Sequence, residues 1–202
     1  MKRPSSSNRG FTLIELLTVI TIIGILAALL FPAIGAAMKK AKIAKAQTEV
    51  HAIETAWKAY FNEYGQWPMD ANGTTCLGQT AAENGNGMQT TPDISALLLG
   101  SPTTGIGNYI PPGQPGSQNP KGIQFLNLQL DPSTTPGQFL DPWKHPYMFL
   151  FDINYNNQID ASAALAPNPP YVGNVIPRTV IVWSLGPDGL PNTADDIRSW
   201  QQ

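Results

Sequence analysis

RGFTLIELLTVITIIGILAALLF, residues 9–31, is the stretch that decides the architecture of this chain. From Phe11 to Phe31 it runs for about twenty residues, the length an α-helix needs to cross ~30 Å of hydrocarbon. The apolar character then continues to Ala37. Only small hydroxyl residues and Glu15 interrupt the part before Phe31. A carboxylate in such a place costs roughly 2.5–3.5 kcal/mol on insertion scales, so it needs a partner, and the apolar segment offers none. Glu15 therefore reads as a functional group, since a plain single-pass anchor has no use for it.

Beyond the apolar run the helical pattern carries on. Ile43, Val50, Ile53, Trp57, Tyr60 and Tyr64 recur at helical spacing, forming the seam that one helix face buries. Gly65 and Pro68 end it. The pattern predicts a single helix of about fifty residues, ~75 Å long at 1.5 Å per residue, apolar all round in its first half and amphipathic in its second. Gly24 and Pro32 lower helix stability within the first half, which a membrane helix tolerates as a kink.

With 202 residues the chain has room for one soluble domain and a helix. Charged residues make up 13%, against roughly 25% in ordinary soluble domains, and 18 Gly and 19 Pro predict a loop-rich head. Residues 1–65 carry eight Lys/Arg against four Glu, while residues 66–202 carry four Lys/Arg against ten acids. An acidic head lacks a phosphate-binding footprint, which excludes nucleic acid as a partner. The single cysteine, Cys76, excludes an intrachain disulfide. His51 and His145 accompany no nucleophile motif, so no enzymatic constellation is expected. Cations flank the apolar run on both sides, Lys2, Arg3 and Arg9 before it and Lys39, Lys40, Lys42 and Lys45 after it, so their count leaves orientation open.

The head is predicted to be α+β: the second half of the long helix packed on a small antiparallel sheet, with long loops. Residues 66–138 are dominated by Asn, Gly, Thr, Gln and Pro. Within them Pro92-Asp93 opens a short helix reaching Leu99, and Ile123 to Leu130 alternates loosely as a strand. The clearest strands are Tyr147 to Asp152 and Arg178 to Leu185. Just before them, Pro142 and Pro146 frame a rigid turn that lays Trp143 and Tyr147 on the sheet.

Two acidic stretches have oxygen-rich chemistry. Asp188, Asp195 and Asp196 fall in one Gly- and Pro-punctuated loop. Converging carboxylates repel unless a cation relieves them, and calcium takes six to eight oxygens in flexible geometry. The alternative is that Asp188 makes a turn with Gly189 and that Asp195 caps a helical turn. The second stretch, Asp152 to Asp160, has oxygen side chains at EF-hand-like positions, but Asn157 stands where Gly belongs and Ala163 where the bidentate Glu belongs. A polar hairpin loop is the competing reading.

The basic leader (Lys2, Arg3, Arg9), Gly10, Phe11 and Glu15 resemble the class III leader of type IV pilins and pseudopilins. Two more segments are similar to parts of the major pseudopilins of type II secretion systems. One is Leu140-Asp141-Pro142-Trp143 with Pro146-Tyr147. The other is the Ser184-Leu185-Gly186 opening with Asp188-Gly189, the pair Asp195-Asp196, and the closing Ile197 and Trp200. An ordinary signal peptide fits poorly, because its apolar region precedes the cut, whereas here that region follows Gly10.

The resemblance implies a type IV pilin-like fold with three parts: residues 1–10 as a leader removed by a prepilin peptidase, 11–37 as the membrane or filament-core half of the helix, and 38–202 as an extracytoplasmic head. Cutting between Gly10 and Phe11 would expose an α-amine at Phe11, then N-methylated, able to pair with Glu15 on the same or a neighbouring subunit and so drive assembly. Calcium would be held by Asp188, Asp195 and Asp196, with the carbonyls of Leu185 and Leu190, in place of a head disulfide. The expected partners are further copies of the chain in a filament, minor pseudopilins and an inner-membrane assembly platform. The expected location is the inner membrane, crossed once, with the head in the periplasm, and the expected role is structural, not enzymatic. A type IV pilin for adhesion, motility or surface attachment would share the leader and helix, but the acidic loop and the missing head disulfide argue against it. A membrane-anchored binding protein using residues 66–138 would have no use for Glu15.

Overall fold

The computed structural model describes residues 11–68, 88–89, 92–101, 110–131, 133, 137–160, 175–191 and 193–200. The leader with Gly10, and Cys76, lie outside the described residues, as does Ala163. The chain divides into two compact units, one ending at Ala41 and the other beginning at Lys42.

One helix, α1 (Leu13–Tyr64, 52 residues), runs through both. In the first unit its side chains point outward on every face, Leu13 being 84% and Leu29 71% exposed. The most apolar window of this helix has none of its residues buried, and by length and composition it is able to cross a membrane. Pro32 lies inside α1 without ending it, so the predicted weak point leaves the helix continuous in the isolated chain.

In the second unit α1 becomes one-sided. Ala46, Val50, Ile53, Ala56, Trp57 and Tyr60 are buried, the expected seam, and Gly65 closes the helix in the left-handed region at φ 69°. The strands are β1 (Met88–Gln89), β2 (Met148–Phe151), β3 (Ile159–Asp160), β4 (Val175–Ile176), β5 (Val180–Ser184) and β6 (Ile197–Arg198). Four of them form an antiparallel sheet in the order β1-β2-β5-β6, and β3 and β4 pair as a separate ribbon. The strongly apolar runs of β2 and β5 have a direct cause, since both faces of the sheet are covered. Phe149, Phe151, Val180 and Val182 pack with Trp57 and the α1 seam, whereas Met148, Leu150, Ile181 and Trp183 pack with Ile159 and Ile176 of the ribbon. Trp57 meets Phe151 edge-on at 4.8 Å between ring centroids, and Trp67 stacks on Phe151 at 4.3 Å. Each such fully buried side chain contributes roughly 1.5–3 kcal/mol relative to exposure.

A short helix, α2 (Pro92–Leu99), forms as predicted. The strand expected over Ile123 to Leu130 does not. The amides of Phe125 and Leu126 both donate to the Leu98 carbonyl at the end of α2, so their hydrogen bonds cap a helix rather than join a ladder. Buried Asn119 holds this segment. Its side-chain amide donates to the carbonyls of Leu97 (3.0 Å) and Ile123 (2.8 Å), and its oxygen accepts from the Tyr64 hydroxyl (2.6 Å). On α1, buried Glu54 accepts from Lys58 (2.6 Å) and from Arg178 (3.3 Å), linking the helix to the start of β5.

Candidate functional site

Two places collect the residues singled out by the sequence. At the head of α1, Thr12 is the N-cap. The Glu15 amide donates to the Thr12 hydroxyl (3.3 Å), while the Thr12 amide (2.8 Å) and hydroxyl (2.7 Å) donate to the Glu15 carboxylate. This reciprocal capping box satisfies orphan donors of the first turn. The reading that Glu15 has no partner in the apolar segment is therefore corrected: Thr12, three residues upstream, is that partner, a hydrogen-bonding one rather than a cation. Phe11, before the cap, is 76% exposed.

The second place is the connection from β5 to β6, residues 185–196. It rests on a turn built by one buried carboxylate, Asp141. The Oδ1 of Asp141 accepts from the amides of Trp143 and His145, both at 2.9 Å, and its Oδ2 accepts from the Ser184 hydroxyl at 2.6 Å. The Ser184 hydroxyl in turn accepts from the Gly186 amide at 3.1 Å. His145 Nδ1 lies 3.1 Å from the Gly186 carbonyl, so this nitrogen carries the proton and donates it. The prolines were expected to organise this turn; Asp141 does so as well, and it ties the turn to the loop. Tyr147, buried below, donates its hydroxyl to Glu49 on α1. Burial and this carboxylate push the phenol up, so it stays protonated.

Two glycines let the loop close. Gly186 and Gly189 have φ of 66° and 67°. A Cβ at Gly186 would fall on the Asp195 carbonyl, and one at Gly189 would lie 2.7 Å from His145 Nε2. The three predicted carboxylates then meet around a hydroxyl. Thr193 Oγ1 lies 2.6 Å from Asp195 Oδ1, 3.4 Å from Asp188 Oδ1, 3.5 Å from Asp196 Oδ1 and 3.4 Å from the Leu190 carbonyl. The Asp188 amide donates to Asp195 Oδ2 at 3.3 Å. Burial raises the Asp195 carboxyl, but the Thr193 hydroxyl and the backbone amides of Asp188 and Asp195 outweigh it and hold the group below the usual carboxylate range. Arg198 Nη2 donates to Asp196 Oδ2 at 2.8 Å.

Asp188, Asp195, Asp196 and the Leu190 carbonyl are thus gathered in one place. Leu185 packs its side chain among Met148, Ile181 and Trp183. Thr193, whose hydroxyl lies among these carboxylates, is the residue of this cluster that the sequence reading missed; its signal was a hydroxyl between one acid and an acidic pair. Among the described residues no group of three or more His, Cys, Asp or Glu is disposed as a ready metal cluster. The donor set itself is all oxygen, the chemistry that hard cations select.

The other acidic stretch is closed differently. Asp152 accepts from the amides of Asn156 (3.2 Å) and Asn157 (2.6 Å), and Tyr155 and Asn157 adopt left-handed φ of 54° and 59°. Its carboxylate serves a turn, but the strands this segment joins, β2 and β3, pair with β5 and β4 and not with each other, so it connects the sheet to the ribbon and is not the hairpin loop that was expected.

Residues 5–31 match the family model described as the prokaryotic N-terminal methylation motif. A fimbrial protein, EcpC, of Eikenella corrodens is 30% identical over 131 residues, 65% of this chain and 78% of that protein. The chain belongs to the type IV pilin superfamily. Within this superfamily it is also 26% identical over 193 residues to the type II secretion system core protein G of Klebsiella pneumoniae, covering 95% of this chain and 94% of that protein. The type IV major pilin protein PilA of Myxococcus xanthus is 42% identical, but over 72 residues, 36% of this chain and 33% of that protein. No solved structure matches the chain significantly. The long apolar helix and small antiparallel sheet are those of a pilin-like subunit anchored by its N-terminal helix.

Proposed function

We propose that the chain is the major structural subunit of a pseudopilus that drives protein secretion through a type II secretion system. The near-full-length match to a type II secretion core protein carries this reading, and the methylation motif supports it. A prepilin peptidase cuts between Gly10 and Phe11 and methylates the new amine. The subunit waits in the inner membrane with its head in the periplasm, then joins a filament of identical copies with minor pseudopilins and an assembly platform. The Phe11 amine pairs with Glu15 during docking. The work of the chain is mechanical and has no catalytic step. Deleting the gene should abolish export through the secretion channel and leave surface pili intact; lost pili with normal secretion would favour a pilin for adhesion, motility or attachment.

The loop after β5 takes one calcium ion in this reading. Asp188, Asp195, Asp196 and the Leu190 carbonyl are its oxygen donors, with Thr193 joining them and the Leu185 carbonyl as the remaining candidate. Bound there, calcium would neutralise the acids and hold the end of β5 to the start of β6. A ligand at 100 times its dissociation constant stabilises the folded state by ~2.7 kcal/mol, visible by calorimetry as a higher melting temperature in calcium than in chelator. The shift should vanish in Asp195→Ala and fade as acid pH protonates the ligands.

A further inference from the structure

The acidic loop has a cation supplied by its own chain. Arg198, on β6 two residues past Asp196, folds its guanidinium back so that Nη2 donates both to Asp196 Oδ2 at 2.8 Å and to the Thr193 carbonyl at 3.1 Å. The two side chains are 7% and 0% exposed. A carboxylate this deeply buried needs a compensating charge whether or not a metal is present. The bond is also selective between the oxygens of Asp196. Arg198 takes Oδ2, and Oδ1 is the atom that faces the Thr193 hydroxyl.

We propose that Arg198 is the built-in counter-ion of this loop. It keeps the loop closed when calcium is absent and limits Asp196 to one oxygen toward the ion, so that calcium tightens the loop instead of folding it. The second half of this statement rests on the calcium reading above; the first half stands without it. As a positioning residue, Arg198 should affect the calcium-free state more than the loaded one, whereas a merely structural residue would destabilise both alike.

The test uses the full chain in detergent micelles, with calcium chloride or chelator, read by calorimetry and by limited proteolysis of the loop. In chelator, Arg198→Gln should be cut within residues 186–196 at least tenfold faster than wild type, and added calcium should restore most of the protection. Its calcium-induced rise in melting temperature should be at least twice that of wild type. Arg198→Lys, which keeps the charge, should recover much of the resistance. Equal cutting of Arg198→Gln and wild type in chelator, or an equal drop in melting temperature with and without calcium, overturns the proposal. If Arg198→Gln does not fold, the double variant Arg198→Gln with Asp196→Asn decides the matter. Removing the buried charge should restore a folded, protease-resistant chain in chelator, and failure to do so rejects the counter-ion role. If wild type takes up no calcium, the calcium reading falls, and the cutting rates in chelator alone judge the role of Arg198.

Discussion

The two halves of α1 share one backbone pattern and differ in what their side chains meet. Before Ala41 the apolar residues face outward, from Leu13 to Met38; after Lys42 they turn to one side and disappear beneath the sheet. Each half holds an acid of a different kind. Glu54 is buried and answered by the cations Lys58 and Arg178, whereas Glu15 is answered only by the neutral amide and hydroxyl of Thr12. The second half is thus complete within its own unit. The first half exposes apolar surface of the length a bilayer or a bundle of like helices would cover, and its acid still carries a charge that no cation balances among the described residues.

The largest expected effect separates the halves by processing. Gly10→Val should leave the chain at precursor mass with no filament formed, because the peptidase has little room beside the backbone at the cut; mass spectrometry of the membrane fraction reads the outcome. A chain starting at Phe11 from that variant would remove the leader assignment. Next in size, Trp57→Ala should cost the head about 3–5 kcal/mol, the usual penalty for emptying a large aromatic site. Leu29→Ala in the first half should stay within about 0.5 kcal/mol. Calorimetric melts of both chains in micelles test the contrast, and similar losses would erase it.

A finer cut concerns Glu15. Replacing it with Gln keeps a side chain able to close the capping box with Thr12 but removes the charge. Filament yield should fall severalfold while the melting temperature of the head stays unchanged. Normal assembly of Glu15→Gln would mean that Glu15 serves as a helix cap and not as a docking charge. The smallest effect is electrostatic and confined to the second unit. Hydrogen bonds from Lys144, then Ser133, hold the Asp131 carboxyl down to about 2. With its folded value depressed, whatever this pair contributes is present above the ordinary carboxylate range and lost as pH falls through about 2. An NMR titration should place the Asp131 midpoint there, and Lys144→Ala should return it toward the usual value.

Much of the fold was legible because it follows periodicity. The seam from Ile43 to Tyr64, the stop at Gly65 and the two central strands all answer to local pattern. The segment from Ile123 to Leu130 misled because its alternation resembles a strand, while the amides of Phe125 and Leu126 serve the end of α2, a partner no local pattern names. Thr12-Leu13-Ile14-Glu15 spells a capping box, yet its apolar setting drew attention to the charge and away from the hydroxyl. At the loop, acids announce themselves by type. Thr193 does not, since its weight comes from three carboxylates that the turns of the loop bring around it; Asp141, an acid outside the loop, serves the amides of Trp143 and His145 close by in the chain and Ser184, which only folding brings to it.

The position of β5 has a consequence in hydrogen-exchange terms. Flanked by β2 on one side and β6 on the other, with all five residues buried, it should exchange its amides only through global opening of the head. The loop leaves from its last residue, Ser184, and two-residue β6 receives it. The loop can therefore open and reclose many times without unzipping the strand that anchors it, and its amides should exchange on a separate, faster clock.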